Sequence, residues 1–191
     1  MGAARHGIVS DSVSQIGFGV GAIFFGAWTD EDTPGTLLGA VAGGTTFTLT
    51  RGIWTANIAG QPGKLQGADR IIEVGAMLEA ALQAISGTSL EAAIANCTLT
   101  AATPAGYDTI EGSGAGTVGS AELHDNVTVV TDMLGLTNGF ILQLDDALPI
   151  SELSIALADK DQFDAAGLKW EARFDPAALT TEPWRIFIPT T

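Results

Sequence analysis

His6, His124 and Cys97 are the only histidines and the only cysteine in the chain. A structural zinc site draws on four Cys or His ligands, and these three residues, scattered from position 6 to position 124, fall short of it. There is no HExxH segment and no GxSxG segment. His124 stands beside Asp125 in AELHDN, but neighbours along a strand point to opposite faces, so the two do not make a dyad. Cys97 has no second cysteine to bridge to and reads as a small core hydrophobe. The carboxylates gather in Asp30, Glu31 and Asp32, in Asp145 and Asp146, and in Asp159, Asp161 and Asp164. The DxDxxD spacing of the last group lacks the central glycine and closing glutamate of a calcium loop, and all three groups read as solvated acidic loops. Gly112–Gly119 (GSGAGTVG) looks superficially like a phosphate loop, but it runs into SAELHDNVTVV, a strand-like sequence, and carries no lysine. A phosphate loop must open a helix. The expectation is a chain with no catalytic, metal-binding or cofactor-binding residues, and not an enzyme.

The elements must therefore be read for what they build. Eight basic residues face 22 acidic ones, a formal net charge of -14, on a 191-residue chain that is 46% hydrophobic. Disordered acidic tails combine high charge with few apolar residues, so this acid sits on a chain that folds, as one domain over residues 1–191. A surface this negative repels phosphate backbones and anionic bilayers, which argues against nucleic-acid readers and membrane-docking proteins. The first residues make a poor signal peptide, and Gly19–Ala27 is too short to span a bilayer. Folding and assembly in a cytoplasm are expected.

Residues 1–15 read as a loose N-terminal arm. Ile16–Ala27 reads as a strand whose glycines mark a bulge or a close backbone approach. Thr45–Thr50 alternates threonine against Phe47 and Leu49, a half-buried strand, and Gly52–Ala59 is a second strand before a turn-rich Gly60–Gly67. Arg70–Ile85 fits two periods. Ile71, Val74, Leu78, Ala81, Leu82 and Ile85 make a helical stripe. Ile72, Val74, Ala76, Leu78, Ala80 and Leu82 make one face of a long strand, with Glu73, Glu79 and Gln83 opposite. Propensity leans to helix, and periodicity alone leaves both open. Thr88–Asn96 is the clearest helix, with Thr88 and Glu91 as a capping box. Residues 98–119 read as loop with short strands. Asn126–Met133 and Gly139–Leu144 are two strands joined at 135–138; Leu153–Ala158 reads as a strand edge or a helical turn, Gly167–Phe174 as a strand, and Trp184–Ile188 as a strand or an extended tail, which makes the chain mainly β.

Several segments, in order and spacing, resemble the tail tube protein (major tail protein) of long-tailed bacteriophages. They are Gly21–Ile23, Gly39–Phe47 (GAVAGGTTF), Gly60–Glu73 (GQPGKLQGADRIIE), Asn126-Val127 with Gly135, Phe140–Leu148 (FILQLDDAL), and Lys169–Ile186 (KWEARFDPAALTTEPWRI). The last, with a strand, Asp-Pro and a Glu-Pro-Trp closure, is the most specific. The likeness runs from about residue 18 to residue 188. The chain departs from the family in having little Lys and Arg and an alanine-rich body.

The resemblance implies a mainly β fold, a β-sandwich or β-barrel with one short flanking helix. Long strands of each subunit would form a lumen barrel between subunits, and Arg70–Ile85 becomes a strand. It implies a structural virion protein whose hexameric rings stack into a tail tube that conducts double-stranded DNA during ejection. Its partners would be further copies of itself and the tape measure, terminator and distal tail proteins, with no membrane. Its place would be the virion tail, assembled in the host cytoplasm. Part of the acid would then line the lumen, where like charge keeps DNA from adhering. Asp69, Glu73 and Glu79 are the candidates, against a solvated outer face or ion pairs with Arg70 or a neighbour's Lys64. Another oligomeric virion protein, a tail terminator or a capsid decoration protein, is the alternative reading. Adaptation to high salt is a separate source of the same net charge.

Overall fold

The computed structural model describes residues 17–26, 35–57, 59–60, 63–64, 66–82, 86–101, 105–114, 118–133, 138–151, 155–157, 163–165 and 167–189. The expected arm, His6, the carboxylates Asp30, Glu31 and Asp32, and the residues Asp159 and Asp161 lie outside them.

Eleven strands and one α-helix follow one another along these residues. They are β1 (Gly17–Phe25), β2 (Thr36–Thr55), β3 (Asp69–Leu82), α1 (Gly87–Ala93), β4 (Cys97–Ala101), β5 (Asp108–Gly112), β6 (His124–Met133), β7 (Phe140–Pro149), β8 (Ile155–Leu157), β9 (Phe163–Ala165), β10 (Leu168–Ala172) and β11 (Trp184–Phe187). Seven of the strands form one antiparallel sheet in the order β10-β3-β2-β1-β6-β7-β11, and β4-β5 and β8-β9 are separate two-stranded pairs. Among the described residues no helix is long and apolar enough to cross a membrane.

The expected β-sandwich or β-barrel, with its lumen barrel of long strands, is corrected here. Among the described residues no second large sheet is present to stack face to face on the first, as a sandwich requires, and the sheet is not closed into a barrel. A barrel needs tilted strands in continuous stagger around the ring. Here β10, five residues long, gives Leu168–Glu171 to β3 and only Trp170–Ala172 to β7. The rest of that edge of β7, Ile141–Leu144, is taken by β11. This short bridge curls the sheet over its core without closing it.

The core lies on one face of the curl. Ile23, Leu38, Ala76, Leu78, Ala80, Val127, Val129, Leu144, Ala147, Leu168 and Trp170 are buried together, with Ala92 and Ala93 of α1 packed among them. The period-2 alternation of β3 is the reason: Ala76, Leu78 and Ala80 are buried while Glu79 and Met77 between them stay partly exposed. The strand reading of Arg70–Ile85 therefore stands for Asp69–Leu82. A helix there would have no partner for the twelve residues of β3 that pair with β2 from Val41↔Leu82 to Thr55↔Asp69.

Two expectations shift locally. Thr45–Thr50 and Gly52–Ala59 are not two strands but parts of one, since β2 runs unbroken through Arg51 and Gly52 to Thr55. The helix forms, but its cap lies two residues earlier than Thr88. Ser86 accepts from the Ser89 amide, and the Ser89 hydroxyl meets the Ser86 amide in return. Glu91, freed from capping, accepts instead from the Leu99 amide at 3.0 Å and ties α1 to β4. A seven-residue helix is marginal by itself, and it is held from the core side. The Ala92 carbonyl accepts both from Trp170 Nε1 at 3.1 Å and from His124 Nε2 at 2.8 Å.

Candidate functional site

Two surfaces stand out, and they lie at opposite ends of one ion pair. The first is the outer part of the β2–β3 ribbon. β1 flanks β2 only along Thr36–Ala40, and β10 flanks β3 only along Met77–Ala80. From Leu49 to Thr55 and from Asp69 to Ala76 the two strands pair with each other and, among the described residues, with no third strand. No described strand covers either outer edge of this ribbon. Its side chains are apolar where solvent would favour polar ones: Ile53 and Ile72 are each 65% exposed, and Leu49, Trp54 and Ile71 are exposed beside them.

Register decides what each face of the ribbon carries. Thr46↔Glu79, Thr48↔Met77, Thr50↔Gly75 and Gly52↔Glu73 share one face. The threonine face expected from the alternation is therefore also the face of Glu73 and Glu79. The register then shifts between Gly52 and Ile53, and Ile53 meets Ile71, which leaves Ile72 as a bulged residue. Beyond a bulge the alternation of that strand changes phase, so Asp69, opposite Thr55, lies on the other face. Of the three acidic residues expected to act together, two share a face and the third does not. Asp69 accepts from the Thr55 hydroxyl. Glu79 is paired with Lys169 at 3.2 Å across the β10–β3 ladder. Glu73 has no ion-pair partner among the described residues. The alternative of a pair with Arg70 is not seen for any of the three.

The second surface is a polar pocket of about 350 Å³ lined by Asp125, Asn126, Gln143, Asp145, Asp146, Asp175, Glu182 and Arg185, with Ala178, Thr181 and Pro183 completing it. It arises where β7 changes neighbour. Asp145 donates its amide to the Pro183 carbonyl beside β11, and Asp146 accepts from the Arg173 amide beside β10. Between these two bonds Asp146 takes a φ of +47°, the left-handed region that Asp and Asn tolerate better than most residues. The connection from β10 to β11 thus loops over the face that carries Asn126, Thr128, Gln143 and Asp145. These polar residues alternate with the core residues Val127, Val129 and Leu144. Polar as they are, Thr128, Gln143 and Asn126 are buried.

Charge in the pocket is crowded. Burial raises the Asp145 carboxyl above the usual aspartate range; Arg185, at 3.2 Å, pulls it back and Asp146 adds to the rise. Burial also raises Asp146, reinforced by Asp175 and Asp125. An acid whose folded pKa exceeds its unfolded value binds protons on folding. Stability therefore falls as pH climbs from the unfolded carboxylate range through the folded value, and the penalty is complete above it. Asp146→Asn keeps the left-handed backbone and removes the charge. Its melting temperature should exceed the parent's at neutral pH, with the difference shrinking towards about pH 4. Thermal unfolding across that range checks this, and equal slopes for the two proteins would show that Asp146 bears no such penalty.

Among the described residues no group of three or more His, Cys, Asp or Glu is arranged to hold a metal ion. His124 donates from Nε2 to the Ala92 carbonyl and its ring lies 5.3 Å from that of Phe25; it is a packed residue. Cys97 is partly buried, and burial, with Glu91 and Glu122 nearby, pushes its thiol up, which disfavours the reactive thiolate. Gly112–Gly114 follows β5, and among the described residues after it a short 3-10 turn at Ser120–Glu122 and then β6 come next, with no α-helix to receive a phosphate. The chain matches no protein-family model, and no curated protein is significantly similar to it.

Proposed function

We propose that this chain is a self-assembling structural protein of a virion, whose copies form rings that stack into a phage tail tube. One observation carries the reading: a two-stranded ribbon with neither edge paired among the described residues and five large apolar side chains exposed near its end. An isolated ribbon is marginal in water, and open apolar edges invite uncontrolled pairing. Burying a large apolar side chain contributes about 1.5–3 kcal/mol. Association costs on the order of 4–15 kcal/mol in lost freedom, so a cluster is needed and a cluster is present. The family-like order of segments, with its Asp-Pro and Glu-Pro-Trp closure, supplies the kind of assembly.

In such a tube DNA passes through a lumen during ejection, and the threonine face bearing Glu73 and Glu79 is the candidate lining. Glu73, without a cation beside it, would then contribute most of the like charge. Tape measure, terminator and distal tail proteins would be the further partners. The test is electron microscopy of the pure protein over a range of concentrations. Long hollow tubes of uniform width are expected. Isolated rings would point to a terminator, and monomers at every concentration would end the proposal.

A further inference from the structure

The basic residues are distributed unevenly over the fold. Arg51, Lys169, Arg173 and Arg185 are each engaged within the chain, with Glu182, Glu79, Glu171 and Asp145. The two remaining basic residues among those described, Lys64 and Arg70, are exposed and have no ion pair among the described residues; Arg70 stands opposite Trp54 near the end of the β2–β3 ribbon and Lys64 in the connection beyond it. The pocket beside β7 is the complement. Of its five carboxylates, Asp145 and Glu182 face Arg185 and Arg51; Asp125, Asp146 and Asp175 have no cation among the described residues.

A second observation points to a ligand there. Gln143, 3% exposed, lines the pocket, and its side-chain amide has no hydrogen-bond partner among the described residues. An amide oxygen accepts well from an ammonium or guanidinium group. The carboxylates are not arranged as a metal site, and 350 Å³ holds the end of a long side chain with several waters, at roughly 30 Å³ per water.

We infer that the acidic pocket of one copy receives the basic ribbon tip, Lys64 and Arg70, of a second copy. This rests on the self-assembly reading and names the contact. Socket and plug are different surfaces of the same chain, so the contact is head-to-tail and propagates from copy to copy, closing into rings or running on as a filament. The apolar side chains behind the tip add area to the contact, and the charges set its direction.

A zero-length carbodiimide, which joins an amine to a carboxylate as an amide with the water taken up by the reagent, tests this on the unaltered protein. An equal mixture of unlabelled and nitrogen-15 protein is treated at assembling concentration and digested for mass spectrometry. Mixed-isotope peptides joining Lys64 to Asp125, Asp146 or Asp175 are expected. Assembly with cross-links elsewhere and none from Lys64 to the pocket overturns the inference and leaves self-assembly standing; no assembly and no mixed cross-link overturns both. In a second arm, Lys64→Glu with Arg70→Glu, and separately Asp125→Lys with Asp146→Lys, should each raise the concentration needed for assembly at least tenfold. All four changes in one chain should restore it. A quadruple variant with the parent's circular dichroism that does not recover also overturns the inference.

Discussion

Trp170→Ala should lower the free energy of unfolding by about 3–5 kcal/mol, the range for emptying a fully buried tryptophan site. Trp170 is 0% exposed and is the largest wholly buried side chain. It sits on β10, the strand that bridges β3 and β7, and its Nε1 donates to the Ala92 carbonyl that anchors α1. Removing it leaves a void between sheet and helix and takes one of two hydrogen bonds from that carbonyl. Small domains have only about 5–15 kcal/mol in all, so the variant should unfold at much lower urea. Trp184 gives the contrast. Its ring packs at 6.2 Å from Phe47, but its buried Nε1 has no partner. An unmet buried donor costs about 1–3 kcal/mol, so Trp184→Phe should remain within about 1 kcal/mol of the parent, the relieved donor offsetting lost volume. Equal losses for Trp184→Phe and Trp170→Phe in urea titrations would contradict this account of the core.

Ile53→Glu combined with Ile72→Glu should leave the fold intact and abolish assembly. Both side chains are 65% exposed in the single chain, so exchanging them for glutamate costs the monomer little. In an assembled interface the same exchange forfeits roughly 1.5–3 kcal/mol for each apolar side chain withdrawn from water. It also adds charge to a chain already at -14. A combined loss above about 3 kcal/mol shifts the dissociation constant more than a hundredfold. Sedimentation velocity should show monomers where the parent assembles. Tyr107→Glu is the control, since Tyr107 is similarly exposed but lies just before β5, which pairs with β4 and not with the ribbon. If both variants assemble like the parent, the ribbon is not the contact surface.

How far the sequence reaches can be judged from single elements. Alternation located β6, β7 and β10, because each has one face on the core and one elsewhere. It could not decide Arg70–Ile85, where alanine and leucine satisfy both periods; the deciding force is the long ladder with β2, which no local window contains. Gly21 was legible as a close approach: a Cβ there would lie 2.5 Å from the Val130 carbonyl oxygen. Arg51-Gly52 read as a break because nothing local says that a ladder carries β2 through it. The acidic pocket was invisible. Its residues run from Asp125 to Arg185, and they meet only because β6, β7 and β11 pair in register. Their one signal was the polar run Asn126, Thr128, Gln143 and Asp145 on adjacent strands. Without the connection that covers it, such a run is indistinguishable from a wet face. The open sheet likewise depends on how β10 and β11 divide one edge of β7, which strand patterns do not encode.

The bulge at Ile72 also sets which changes in chain length the ribbon tolerates. Losing one residue from a paired strand ordinarily turns everything beyond the gap onto the opposite face. Here β3 carries one residue more than β2 needs between Glu73 and Ile71. Excising Ile72 would leave every remaining pair opposite its present partner and every side chain on its present side. Excising Val74 would instead use up the spare residue, bringing Glu73 opposite Arg51 and Ile72 opposite Gly52 while Ile71, Arg70 and Asp69 keep their partners, so Glu73 would leave the threonine face. The ladder should therefore survive a one-residue loss at either position, and what the loss changes is the face the ribbon presents: an apolar side chain goes with Ile72, a carboxylate turns over with Val74.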